Sequence, residues 1–295
     1  MESVASVTAE TMALQRSFES HGARRRRLFT DPFADDFLRP SWRALATASG
    51  VPILRRLAVG VYDSVGGRGP RPSAVVRTKI IDDAVNAAVP GHDQCVLLGA
   101  GYDTRAHRLT AMSGRRVFEL DHPATQEVKR SVIERLGIDT HNITYVAVDF
   151  ERDDLARRLV ERGFDPESPA VFVWEGVSQY LTKEAVDSTL DVVRRMAGHG
   201  GVLIATYVDR RALTEPSPFP EARRWIRAVA RVGEPWIFGL LPEEASGFFA
   251  ARGFVLQRDV STLDASRDWL SDRSPRHWGS ELYRVAIARA EPSAA

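Results

Sequence analysis

Between Gln94 and Pro123 the chain reads QCVLLGAGYDTRAHRLTAMSGRRVFELDHP: a strand, a glycine turn, a short helix and a second strand ending in acid. No other stretch limits the fold so strongly. The apolar run Cys95 to Leu98 is too short for a helix, and it stops at Gly99-Ala100-Gly101, where the glycines leave backbone amides open to a ligand. Asp121 stands twenty residues beyond Gly101, the separation at which βαβ units place a carboxylate for ribose hydroxyls. The spacing predicts an α/β fold with a nucleoside-bearing ligand across its strand ends.

Two cofactor classes use such a layout, and the turn separates them. A dinucleotide site has the form G-x-G-x-x-G, with a pyrophosphate at a helix N-terminus. Here the third glycine is replaced by Thr104, and Asp103 would set a negative charge against the pyrophosphate. The turn therefore points away from NAD and toward a cofactor without phosphate, such as S-adenosylmethionine, which carries an ammonium, a carboxylate, a sulfonium and an adenosine.

Composition narrows the class further. With 295 residues, 44% hydrophobic and 27% charged, the chain has enough apolar mass for a large core and is not a disordered one. A net charge of +1 gives no electrostatic case for nucleic acid or a membrane surface. The single cysteine, Cys95, lies in an apolar strand and reads as a buried small residue. No run approaches a membrane span and MESVASVTAE lacks the character of a secretory signal, so the cytoplasm is the expected compartment. No metal-ligand spacing is apparent.

Residues 1–90 read as a helical cap or lead-in. A helix is expected from Ser73, as N-cap, to Pro90-Gly91, preceded by an exposed glycine- and proline-rich loop from Tyr62 to Pro72. Arg24 to Arg27 reads as a solvated surface of a helix. Residues 91–295 alternate short apolar strands with amphipathic helices, and each strand ends in a polar or aromatic group. Thr182 is the expected cap of a helix carrying Val186, Leu190, Val193 and Ala197. After strand five, residues 210–241 form an insert with Trp225, Trp236 and Phe238, read as a lid or substrate wall. Two terminal strands should pair antiparallel, giving a Rossmann-like seven-stranded, mostly parallel sheet and one structural domain.

At this level of detail the chain resembles a family. LGAGYDTRAHRL, VFELDHP, VAVDFERDDL and WEGVSQYL, with RTKIIDD and LFTDPFADDFL ahead of them, resemble the leucine carboxyl methyltransferase-related branch of the class I S-adenosylmethionine methyltransferases. The resemblance runs from about residue 9 to 290. It implies that Gly99, Ala100 and Gly101 pass close to the methionine moiety and that Asp121 accepts from both ribose hydroxyls. It implies further that Asp149 takes the adenine amino group, that the amide of Phe150 holds a ring nitrogen, that Glu175 faces the ammonium and that Arg77 pairs with the cofactor carboxylate. The family also uses a basic residue from the N-terminal segment, which the sequence alone does not place here.

Methyl transfer from a sulfonium gains most of its rate from alignment in a dry site. A carboxylate acceptor needs no general base, whereas a hydroxyl often does. His107, His122, Tyr207 and His277 are near strand ends, but none forms a dyad and no catalytic residue is assigned. Tyr180, Tyr207, Trp236 and Phe238 are the expected lining of an acceptor pocket. The reading is O-methylation, carboxyl or hydroxyl, of a small molecule in polyketide or other secondary metabolism. Open alternatives are a protein carboxyl methyltransferase, carbon methylation, and a non-catalytic binding protein that keeps the fold.

Overall fold

The structure, a computed structural model, describes residues 6–66, 70–150, 152–214, 217–231, 233–274 and 278–291. Its sheet is built from β1 (Gln94–Leu98), β2 (Arg116–Asp121), β3 (Ile143–Ala147), β4 (Ala170–Trp174), β5 (Val202–Val208), β6 (Phe254–Ser261) and β7 (Tyr283–Ala290). The order is β3-β2-β1-β4-β5-β7-β6. The first five strands are parallel, and β7 runs antiparallel to both β5 and β6. Strands β1, β4 and β5 are buried along their whole length, which is why they read as unbroken apolar runs rather than alternating ones.

Alternate residues face two cores. Leu98, Leu120, Phe172, Trp174 and Leu203 pack with α7 (Leu155–Glu161), α8 (Lys183–Met196) and α10 (Ala245–Ala250). Cys95, Leu97, Val117, Val173 and Ile204 pack with α4 (Pro70–Ala88) and α11 (Thr262–Trp269). Burial drives the Cys95 thiol pKa strongly upward, so it stays protonated and inert. Thr182 caps α8 as expected, its hydroxyl accepting from the Ala185 amide at 3.2 Å. The chain order reverses between β1 and β4, and a cleft opens above their carboxyl ends.

The cap contains α1 (Val7–Ser20), α2 (Pro40–Ser49) and α3 (Pro52–Gly66), with α4 behind them. Here several expectations are corrected. Helix α4 begins at Pro70, because Pro70 and Pro72 fit the first turn, where no amide donor is needed. Ser73 is not its cap; its hydroxyl accepts from the Ser280 amide at 3.0 Å, tying α4 to the approach to β7. The segment from Tyr62 to Pro72 is not an exposed loop: Tyr62 is buried in α3, and Arg71 and Pro72 are buried in α4; residues 67–69 lie outside the described ones. Arg24 to Arg26 are exposed, but in the turn after α1 rather than on a helix. Helix α11, capped by Ser261, whose hydroxyl accepts from Asp264 at 3.0 Å, was not expected between the last two strands. The insert forms a short 3₁₀ turn at Arg210–Leu213 and α9 (Ala222–Arg231), and returns to the sheet through a bridge between Asp209 and Leu240. Among the described residues no helix is long and apolar enough to cross a membrane.

Candidate active site

The glycine turn is shaped by two residues that only glycine tolerates well. Gly99 and Gly101 have φ of 67° and 50°, and a Cβ on Gly99 would stand 2.3 Å from Val177 Cγ2. Gly99→Ala should therefore cost more than the about 1–2 kcal/mol of a left-handed conformation alone, read as a lower urea midpoint; an unchanged midpoint would show that the turn relaxes freely. The turn is pinned to the next strand by the Ala100 amide donating to Leu120 O at 2.9 Å. At the end of β2 the Asp121 carboxylate accepts from the Gly101 amide and, at 2.6 Å, from the His122 amide. Burial raises the Asp121 pKa, and these two amide bonds only partly offset it. The helix after the turn, α5 (Arg105–Arg108), has four residues, too little for an appreciable macrodipole.

Beside the turn lies a buried ion network. Arg105 is 2% exposed; its Nη1 donates to Glu175 Oε2 at 2.5 Å and Asp103 Oδ2 at 2.6 Å, and its Nε to Asp82 Oδ1 at 2.7 Å. Arg108 closes a second contact to Asp82 at 2.6 Å. The Nε of Arg77 donates to Glu175 Oε1 at 2.8 Å, so the two residues expected at opposite charged ends of the methionine moiety are bonded to each other. Burial alone would raise the Glu175 and Asp103 pKa values; Arg105, joined by Arg77 at Glu175 and Lys129 at Asp103, holds both below the ordinary carboxylate range. From α1, Arg16 enters the same cavity, its Nε 2.8 Å from Asp31 Oδ2 and its Nη2 2.5 Å from Tyr102 O. It is a basic residue of the N-terminal segment that lines the cavity, a position the sequence alone did not single out.

Arg16, Arg77, Asp103, Arg105 and Glu175 open into one cavity of about 620 Å³, within the range of small-molecule sites. Arg77, Gly99, Ala100, Gly101, Asp121, Asp149, Phe150 and Glu175 all line it, so every residue expected at the cofactor is brought together. Aromatic rings complete the lining: Trp42, Tyr62, Tyr180, Trp225, Trp236 and Tyr283. Trp225 stacks on Tyr283 at 5.7 Å between centroids, and Trp236 meets that ring edge-on at 5.5 Å. Tyr62 accepts from Gln15 Nε2, and burial pushes its pKa up to about 12.

Two expected lining residues are elsewhere. Tyr207 and Phe238 lie on the opposite face of the sheet beside Trp174 and Phe248, in a separate small void. The Tyr207 hydroxyl donates to Asp259 at 2.8 Å and accepts from Arg284 Nε at 3.1 Å, which rules it out as a base for this cavity. His107 is outside the cavity, packed edge-on to Phe33, and burial lowers its pKa to about 4. His122 lines the cavity but is exposed and caps α6 (Pro123–Arg135). His277 lies outside the described residues. Glu234, which sequence reasoning missed, enters from the segment after α9. No group of three or more metal-ligating side chains occurs among the described residues.

A seven-stranded sheet of this order, with a glycine turn after β1 and acids at the ends of β2 and β4, defines the methyltransferase-like α/β class. Over 95% of this chain and 94% of the other, the structure superposes on a protein from Thermobifida fusca, provisionally described as a methyltransferase, with a TM-score of 0.61 and 19% identity. The leucine carboxyl methyltransferase family matches residues 9–194, and the chain belongs to that family. A relative in Mycobacteroides abscessus is 35% identical over 95% of this chain and 83% of its own length. Another, in Mycolicibacterium paratuberculosis, is 35% identical over 67% of this chain, and the match spans 64% of that protein, less than two thirds of its length. Both are provisionally named S-adenosyl-L-methionine-dependent methyltransferases.

Proposed function

We propose that this protein transfers the methyl group of S-adenosylmethionine to an oxygen of a small molecule, in polyketide or other secondary metabolism. The observation that carries the reading is one cavity whose wall combines Asp121, Asp149 and the glycine turn Gly99-Ala100-Gly101 with six aromatic rings. The residues suit the cofactor. Asp121 is held by two amides in position for a ribose, and the Arg77–Glu175 pair offers both signs of charge to an amino acid head group. Asp103 and the four-residue α5 offer nothing to a pyrophosphate.

The bound cofactor would supply an activated methyl group. The chain's own contribution is to align the acceptor and exclude water, which the aromatic walls and the N-terminal cap support together with the sheet as one working unit. The family name favours a second reading, methylation of a carboxyl group. Titration calorimetry with S-adenosylmethionine and, separately, NAD is the test. Micromolar binding of the former alone is expected; binding of NAD, or of neither, would remove the assignment.

A further inference from the structure

Of the carboxylates in the cavity, four belong to the strand ends and the glycine turn. The fifth, Glu234, stands among Trp225, Val229 and Trp236 of the insert. The Ser6 hydroxyl donates to its Oε1 at 3.0 Å, and the Thr8 hydroxyl donates to Oε2. Tyr180 lines the same cavity, and burial first, with the Glu234 charge adding to it, raises the pKa of its hydroxyl. Among the described residues no arginine or lysine forms an ion pair with this acid. The arginines that line the cavity are held elsewhere, Arg16 by Asp31, Arg77 by Glu175, and Arg105 by Asp82, Asp103 and Glu175.

An anionic acceptor would thus meet a carboxylate in an apolar chamber, a repulsion that low dielectric strengthens. A neutral hydroxyl would meet a proton acceptor. We propose that Glu234 is the general base of the reaction and that the acceptor is a hydroxyl, phenolic or alcoholic, on an apolar body rather than a carboxylate. This rests on the methyl-transfer reading above. In the step, a lone pair of the acceptor oxygen forms the bond to the methyl carbon as the carbon–sulfur bond breaks toward sulfur. The hydroxyl proton passes to Glu234, directly or through the Thr8 hydroxyl bonded to it, and from there to solvent.

The test uses 2-naphthol and 2-naphthoate, which share a ring system and differ in the acceptor group. Binding is measured in the presence of S-adenosylhomocysteine for the wild type and Glu234→Gln, with S-adenosylmethionine titrated into both. The wild type should bind 2-naphthol more tightly; Glu234→Gln should strengthen 2-naphthoate selectively and lower methyl transfer to 2-naphthol by about 10²-fold or more. A purely structural tie between Glu234 and α1 would not change the preference between the probes. Equal or better binding and methylation of 2-naphthoate by the wild type, full 2-naphthol turnover by Glu234→Gln, or binding of neither probe by protein that binds S-adenosylmethionine would each overturn the proposal. Loss of S-adenosylmethionine binding by the wild type would instead overturn the methyl-transfer reading, and the proposal with it.

Discussion

Arg105→Ala is expected to lower the free energy of unfolding by about 3–5 kcal/mol, the cost of leaving buried charges without their partner. Three carboxylates, Asp82, Asp103 and Glu175, bond to this one guanidinium, which is 2% exposed, with Arg108 also on Asp82 and Arg77 also on Glu175. The effect has a pH signature. Glu175 and Asp103 have pKa values held below the ordinary carboxylate range, so the stability they contribute is present above their unfolded values, near pH 4, and is lost as pH falls through the folded ones. The deficit of Arg105→Ala should accordingly be largest at neutral pH and shrink below about pH 4, where the stranded acids can take up protons. Urea denaturation of both proteins at the two pH values measures it. A deficit under about 1 kcal/mol at pH 7 would mean that water or Arg77 and Arg108 replace the missing charge.

The network also marks where reading a sequence stops. The glycine turn, Asp121, Asp149 and Glu175 were legible because strand, turn and terminal acid follow one another locally, and the parallel sheet then carries all their ends to one edge. Arg105 sits in the quoted turn motif, yet nothing local shows that it meets Asp82 and Glu175 from distant elements. Tyr207 failed for a related reason. A strand presents alternate residues to opposite faces, and β5 turns Tyr207 toward the core beneath α8 and α10, with Leu203 and Ala205. Its neighbour Thr206 instead accepts from the Gly176 amide at 2.8 Å, beside the site. Parity within β5 could be counted from the sequence, but which parity faces the ligand depends on the register against β4. Glu234 gave no signal at all, being one acid in an irregular segment whose position depends on α1, more than two hundred residues away.

Asp121 should show a separation between stability and binding. Asp121→Ala is expected to weaken S-adenosylmethionine by about 1.5–3 kcal/mol, roughly 10- to 150-fold, through loss of charged hydrogen bonds to the ribose. Burial raises the pKa of this group above its ordinary 3.8 despite the Gly101 and His122 amides. A carboxylate with a raised folded pKa burdens the folded state while it is ionised, and that burden lifts as pH falls through the folded value. Its sign is opposite to that of Glu175. Asp121→Asn should therefore raise the urea midpoint of the ligand-free protein at neutral pH even as it weakens the cofactor, the exchange expected where a site keeps an unfavourable charge for binding. In the wild type, affinity should be full at neutral pH and begin to fall on acidification before an exposed aspartate would protonate; in Asp121→Asn that component of the fall should be absent. Calorimetric titrations of both proteins across a pH series decide it. Affinity of Asp121→Ala within a factor of about two of the wild type would show that the ribose is held by other groups.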